Sequence, residues 1–295
     1  MLARPWWVEQ RRERVRQQPF PRAWRRILRK RVPLLARLPA DLQIRLRRHI
    51  LVFLAEKPFV GCRGQVITDE VRLTIAAKAC LLLLGDPRSD YYPRLNEIIV
   101  YPDAFVVTRE RPVGAGVVQE QRQATAGESW ARGQVVLSWA HVLSDAAQSA
   151  NGRNVAIHEF AHQIDQDSGT ADGCPWRPTQ EMRTRWDRVM GDAFQRLKAS
   201  PSSVIDSYAA SDRAEFFAVV SEVFFERPFD LAREEPAVYR ELAELYGVNP
   251  LTWWAPQLGN SARLSQNPPL DQEVAEKRCS IRVSVAKGTA RVSEI

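Results

Sequence analysis

From Val155 to Ile164 the chain carries three groups that a protein interior tolerates poorly, His158, Glu159 and His162, set among uncharged neighbours. Asn151-Gly152 just before this run marks a turn, and the apolar residues that follow predict a buried helix. Residues four apart share a helix face, so His158 and His162 can present two imidazoles to one point. Two histidines and a glutamate inside an apolar helix need partners, because burying them unpaired is unfavourable. A pair of hydrogen-bonded core histidines is the plain reading. The sharper one is a pair of metal ligands. Zinc suits imidazole and carboxylate donors; held by three side chains, it keeps a fourth position for water and lowers that water's pKa to about 7. Glu159, next to the first histidine, can reach such a metal-bound water and take its proton.

A third ligand must come from another rigid element. The segment DRAEFFAVVSEVFFE (212–226) predicts an apolar helix whose charged residues between Arg213 and Glu226 are Glu215 and Glu222. They are seven apart and therefore on one face. One could hold the ion while the other orients a ligand histidine, or Glu222 could form an ordinary helix-end salt bridge. Spacing alone does not rank them. Asp165, one turn beyond His162, suits either a histidine partner or a cap for the loop that follows.

Around this site the chain reads as α+β, mostly helical with a small sheet and an N-terminal helical region. Residues 21–55 predict helices broken near Pro33 and Pro39. Thr68 is placed to cap a helix over Val71–Leu84, which Gly85 can end. Asn96–Val107 and Gln134–Trp139 read as strands, and polar Arg109–Gly133 between them as a loop or hairpin. The second strand could align a peptide by strand addition or be an ordinary core strand. Gly114-Ala115-Gly116 has no third glycine at dinucleotide spacing, which excludes that motif. Further helices are predicted at about 179–198, 212–226 and 235–246, the last closed by Gly247. His49 and His141 have no partners by spacing and read as structural or surface residues. The expected division is a basic, poorly ordered segment at 1–20, a folded unit at 21–258 with its helical part to about 90, and a mobile polar tail at 259–295.

Charge is unevenly distributed. Residues 1–50 hold 15 Arg and Lys against 3 Asp and Glu, a net +12, so the rest of the chain, within an overall +7, is −5. Apolar residues such as Trp24, Ile27, Leu28, Leu46 and Ile50 interleave with the arginines, which predicts amphipathic helices with solvated basic faces. Nothing beyond charge points to nucleic acid. No apolar run approaches the roughly 20 residues of a membrane span, and the N-terminus lacks the apolar core of a secretory signal. Cys62, Cys80, Cys174 and Cys279 are scattered without CxxC spacing, so they read as free thiols in a reducing, cytoplasmic setting.

Several motifs together resemble the Mlc titration factor A family of metallopeptidases: HEFAHQID (158–165), DSYAASDRAE (206–215), IAAKACLLLL (75–84), YPDAF (101–105) and GQVVLSW (133–139). The resemblance covers roughly residues 20–255. It implies a zincin-like fold of the gluzincin type, with zinc held by His158, His162 and Glu215 and with Glu159 as general base and later proton donor. It also implies that Tyr208 donates its hydroxyl to the oxyanion; the plain alternative is a core tyrosine that caps a loop. The activity implied is peptide-bond hydrolysis, of aminopeptidase type, on a peptide or protein substrate. A second implied role is regulatory: binding and sequestering a transcriptional repressor.

Overall fold

The computed structural model describes residues 5–253, apart from 87–88, 115–116, 126, 131–132, 148–150 and 168, together with 282–286 and 289–293. Helices dominate. The N-terminal region consists of α1 (Trp6–Arg16), α2 (Arg22–Arg31), a 3₁₀ turn (Pro33–Arg37) and α3 (Ala40–Glu56), so both prolines stand where the helices break. The segment 1–20, expected to be poorly ordered, holds α1 instead. What docks that helix is an arginine: Arg12 is 5% exposed, forks onto Glu56 at 2.7 and 2.8 Å, reaches Asp90 at 3.1 Å and lies 4.9 Å above the Tyr91 ring. A polar anchor leaves no apolar periodicity to read.

The small sheet follows. Strand β1 (Phe59–Gly61) precedes α4 (Asp69–Leu81), whose first turn is capped by Thr68 accepting from Val71 N–H. Then come β2 (Glu97–Tyr101), β3 (Phe105–Gly114), β4 (Val117–Thr125), β5 (Gly127–Trp130) and β6 (Gln134–Ser138). β1, β2 and β6 are parallel neighbours, and β5 pairs antiparallel with the outer side of β6. The polar stretch after residue 105 is thus a β3–β4 hairpin followed by a strand that returns to the sheet. This overturns strand addition at QVVLSW: β6 has β2 on one side and β5 on the other, and a strand with both edges paired cannot accept a third. Among the described residues, β5 is the last strand on that side of the sheet.

The remaining helices are α5 (Trp139–Ala147), α6 (Val155–Gln166), α7 (Gln180–Ala199), α8 (Arg213–Glu226), α9 (Pro228–Glu234) and α10 (Pro236–Tyr246), with 3₁₀ turns at Ser207–Ala210 and Pro250–Thr252. Strands β7 (Arg282–Ala286) and β8 (Thr289–Ser293) form an antiparallel pair within the segment expected to be a mobile tail; the rest of that tail, and Cys279, lie outside the described residues. Gly85 does more than end a helix. A Cβ there would stand 2.6 Å from Gly247 Cα, so the two glycines let the turn after α4 touch the end of α10, where Gly247 adopts φ +62°.

A main hydrophobic core runs from the N-terminal helices to Trp253, and a small second cluster gathers Tyr101, Phe105 and Val136. Phe160 of α6 meets Phe53 of α3 at 5.7 Å and Tyr92 at 5.0 Å. α8 is buried on every side from Phe216 to Glu226. Truncating one of its phenylalanines to alanine is worth about 3–5 kcal/mol on the usual scale for such cavities. That rigidity fixes where the polar groups of α6 and α8 can stand. No helix among the described residues is long and apolar enough to cross a membrane.

Candidate metal centre

The start of α6 is tightly held. Asn154 caps it, its Oδ1 accepting from Ile157 N–H at 3.3 Å while its Nδ2 donates to Glu226 Oε1 at 2.7 Å. The Asn154 backbone N–H donates to Glu222 Oε2, and Val155 N–H to Asp145 Oδ2 at 2.7 Å. The first turn of α6 is therefore bolted to the last two turns of α8 and to α5.

One turn into α6, His158 Nδ1 bonds Glu222 Oε1 at 2.8 Å. That contact leaves Nε2 facing Glu215 Oε2 at 3.0 Å and His162 Nε2 at 3.2 Å, and the third side, His162 Nε2 to Glu215 Oε2, measures 3.5 Å. Glu215 is itself set by the start of α8, where Asp212 accepts from its backbone N–H at 2.9 Å. So the structure separates the two glutamates that spacing could not rank: Glu222 takes the far nitrogen of His158, and Glu215 joins the converging set.

Three lone pairs at such separations repel unless a positive charge lies between them. Burial pulls the His158 imidazolium down, yet its bonds to Glu215 and Glu222 outweigh this and hold it well above the ordinary value. Burial pushes the Glu215 carboxyl up, and the two histidines overwhelm it, leaving that carboxyl far below the usual range. The set thus favours a cation at its centre. Tetrahedral coordination with bonds of about 2.0–2.1 Å places donor atoms about 3.3–3.4 Å apart. The observed triangle of 3.0, 3.2 and 3.5 Å brackets that figure, so two imidazoles and a carboxylate here fit a metal ion.

Glu159, the next residue on α6, is buried at 4% exposure against the first residue of β5. A Cβ on Gly127 would stand 2.7 Å from Glu159 Cγ and 2.8 Å from Cδ. Gly127 is therefore part of the site by what it lacks, and it lies in a segment whose sequence reads only as polar. Tyr208, in the 3₁₀ turn before α8, has its ring 6.3 Å from that of His158 and is 46% exposed. It stands at the rim, which removes the core-tyrosine reading. Its turn is fixed by Asp206, which accepts from Tyr208 N–H at 2.9 Å and pairs with Arg153 beside α6.

Asp165 ties down the loop beyond α6: its Oδ2 accepts from Gly173 N–H at 2.8 Å, and burial pushes its carboxyl up to about 6. His49 bonds Tyr91 OH and His141 bonds Ser138 Oγ, both at 2.8 Å. Cys62, Cys80 and Cys174 are free thiols. Lys78 was missed by the sequence reading. It is fully enclosed, donates to Val142 O at 3.2 Å, and feels Asp145, Glu226 and Glu222, the carboxylates behind the site. A single lysine inside IAAKACLLLL was the signal for it.

Two imidazoles and a carboxylate converging from an HExxH helix and its neighbour, with a buried glutamate alongside, form a candidate metal centre of the kind a metallopeptidase needs. Comparison with known proteins agrees: residues 6–247 match the family described as glucose-regulated metallo-peptidase M90, and the chain belongs to that family, which includes Mlc titration factor A. It is 40% identical over 252 residues to the uncharacterised protein slr2042 of Synechocystis sp., covering 84% of this chain and 91% of that protein. It is 33% identical over 227 residues to Mlc titration factor A of Escherichia fergusonii and 32% to that of Klebsiella pneumoniae subsp. pneumoniae, each match covering 75% of this chain and 84% of the relative.

Proposed function

We propose that this chain is a zinc-dependent peptidase of zincin-like architecture that hydrolyses peptide bonds, with residues 21–258 as the catalytic unit. The observation that carries the reading is the triangle of His158 Nε2, His162 Nε2 and Glu215 Oε2. Zinc held there would act as a Lewis acid on the scissile carbonyl and lower the pKa of water. Glu159 accepts the proton of the attacking water and returns it to the leaving amine, alternating as base and acid. Its burial against Gly127 keeps the carboxylate aimed and the proton away from bulk solvent. Glu222 holds His158 by Nδ1, so that Nε2 keeps its lone pair toward the ion. Tyr208 at the rim donates its hydroxyl to the oxygen that gains charge.

Elemental analysis tests this directly. About one zinc per chain is expected, lost in His158→Ala and Glu215→Ala and retained at saturating zinc in Glu222→Ala. A wild-type chain that takes up no metal when zinc is supplied would overturn the reading. Aminopeptidase action predicts cleavage of peptides with a free N-terminus over the same peptides acetylated. The relatives' name speaks of titrating Mlc, and a repressor partner is the regulatory alternative. Free thiols favour a cytoplasmic setting for either role. Glu159→Gln separates the two, since binding a partner requires no base.

A further inference from the structure

On α2, Arg22, Arg25, Arg26 and Arg29 recur at spacings of three and four and so form one stripe. With Arg47 of α3 they line a half-open cleft of about 680 Å³ between α2, the following 3₁₀ turn and α3. Its accessible apolar lining is Leu35 and Ala36, beneath which Leu28, Leu46 and Ile50 are buried in the core. No acidic residue lines it, and none of the five arginines has an ion pair among the described residues.

The rest of α2 behaves differently. Arg31 pairs with Glu70 at 2.5 Å, and Trp24 Nε1 donates to Asp69 at 2.9 Å, both across to α4. Acidic partners are thus supplied where the helix docks and withheld where it faces the cleft. Like charges at these spacings oppose the helix, and the first turn of α2 has no acidic residue to offset them. Burial, and then the charge of Arg25, lower the pKa of Arg47, so these two guanidiniums repel across the cleft. An anion would relieve that repulsion.

We propose that this cleft binds a small amphiphilic anion, a phosphate or carboxylate carried on an apolar body, with its head between Arg25 and Arg47 and its body against Leu35, Ala36 and the methylene stems of the arginines. The volume lies within the roughly 300–1,000 Å³ of small-molecule sites. Single-stranded nucleic acid is a poorer fit, because no aromatic ring lines the cleft to stack a base. A bilayer surface is poorer too. The apolar side of α2, through Trp24, Ile27 and Leu28, is already packed on the core and cannot enter lipid.

Calorimetric titration of the full-length chain with octyl phosphate, below its micelle concentration, is the test. One-to-one saturable binding is expected, about tenfold or more weaker in Arg25→Gln/Arg47→Gln, with octanol and inorganic phosphate each binding less well alone. Arg22→Gln/Arg29→Gln serves as a second variant should the first lose its thermal transition. Comparing lysophosphatidic acid with phenyl phosphate distinguishes a lipid-derived ligand from a water-soluble one; tighter binding by either supports the site and names its source. Equal affinity for octanol, equal binding by the variants, or no binding at all overturns the proposal. So does retention on anionic vesicles or displacement by an oligonucleotide without binding of the monomeric amphiphile.

Discussion

Two helix pairs gather charge in this molecule and treat it in opposite ways. Along α6 and α8 the buried carboxylates around the centre are answered: Glu222 by His158 and Asn154, Glu226 by Asn154, and Glu215 by both histidines. Along α2 and α3, five arginines face a cleft with no acid among its lining residues. Water explains the difference. In the interior an unanswered charge is strongly unfavourable, so its partners must be built in. At the surface solvent screens it, and the chain can leave a charge open without unfolding. The first pattern is therefore closed upon itself, and the second is open to something else.

The sharpest way to break this contrast is at Glu159. Glu159→Gln keeps the shape and removes the base, so peptide hydrolysis should fall by about 10²–10⁴-fold while zinc content is unchanged; a fully active variant would remove Glu159 from the chemistry. Next in size is a buried group of the N-terminal region that is kept neutral. Burial first, and then Arg16 and Arg45, push the His49 imidazole down to about 4. The folded value lies below that of the unfolded chain, so between about pH 6.5 and pH 4 the unfolded state takes up a proton that the folded state refuses. Stability present above that window should be lost across it, by about 3 kcal/mol. Urea unfolding of wild type and His49→Asn through the window should show wild type losing more stability than the variant as pH falls, by that amount.

Two smaller effects return to the metal centre. Glu222→Ala should weaken zinc binding by about 10–100-fold in a chelator competition, leaving the three donors in place but His158 unoriented. Gly127→Ala should lower kcat about tenfold with KM and metal content little changed, because the new methyl displaces the Glu159 carboxylate. Equal kcat in that variant would mean that the strand edge yields and does not aim the base.

Much of the centre was legible because buried charge in an apolar periodic helix is conspicuous. His158, His162, Glu215 and Glu222 all stand out in this way. Spacing alone could not choose between the two glutamates, since both lie on one face and only the axial offset of α8 against α6 decides which nitrogen each meets; the family resemblance was what pointed to Glu215. Gly127 was hidden for a related reason: its contact with Glu159 spans a polar hairpin and depends on a strand returning to the sheet. α1 was missed because its anchor is a buried arginine. The arginine stripe of α2 was read as a solvated face. Only the cleft beneath it distinguishes an open face from an idle one.

The donor set also has an order in time. His158 and His162 are four residues apart, but Glu215 follows His158 by 57. At a synthesis rate of about 5–20 residues per second, a growing chain offers only two imidazoles for roughly 3–11 s before the carboxylate exists. Two ligands hold an ion weakly, and the third arrives only when α8 is made and docked. With His158, His162 and Glu215 as the proposed ligands, firm metal capture would be a late event in the life of each molecule, and a chain truncated before α8 should compete poorly for the ion.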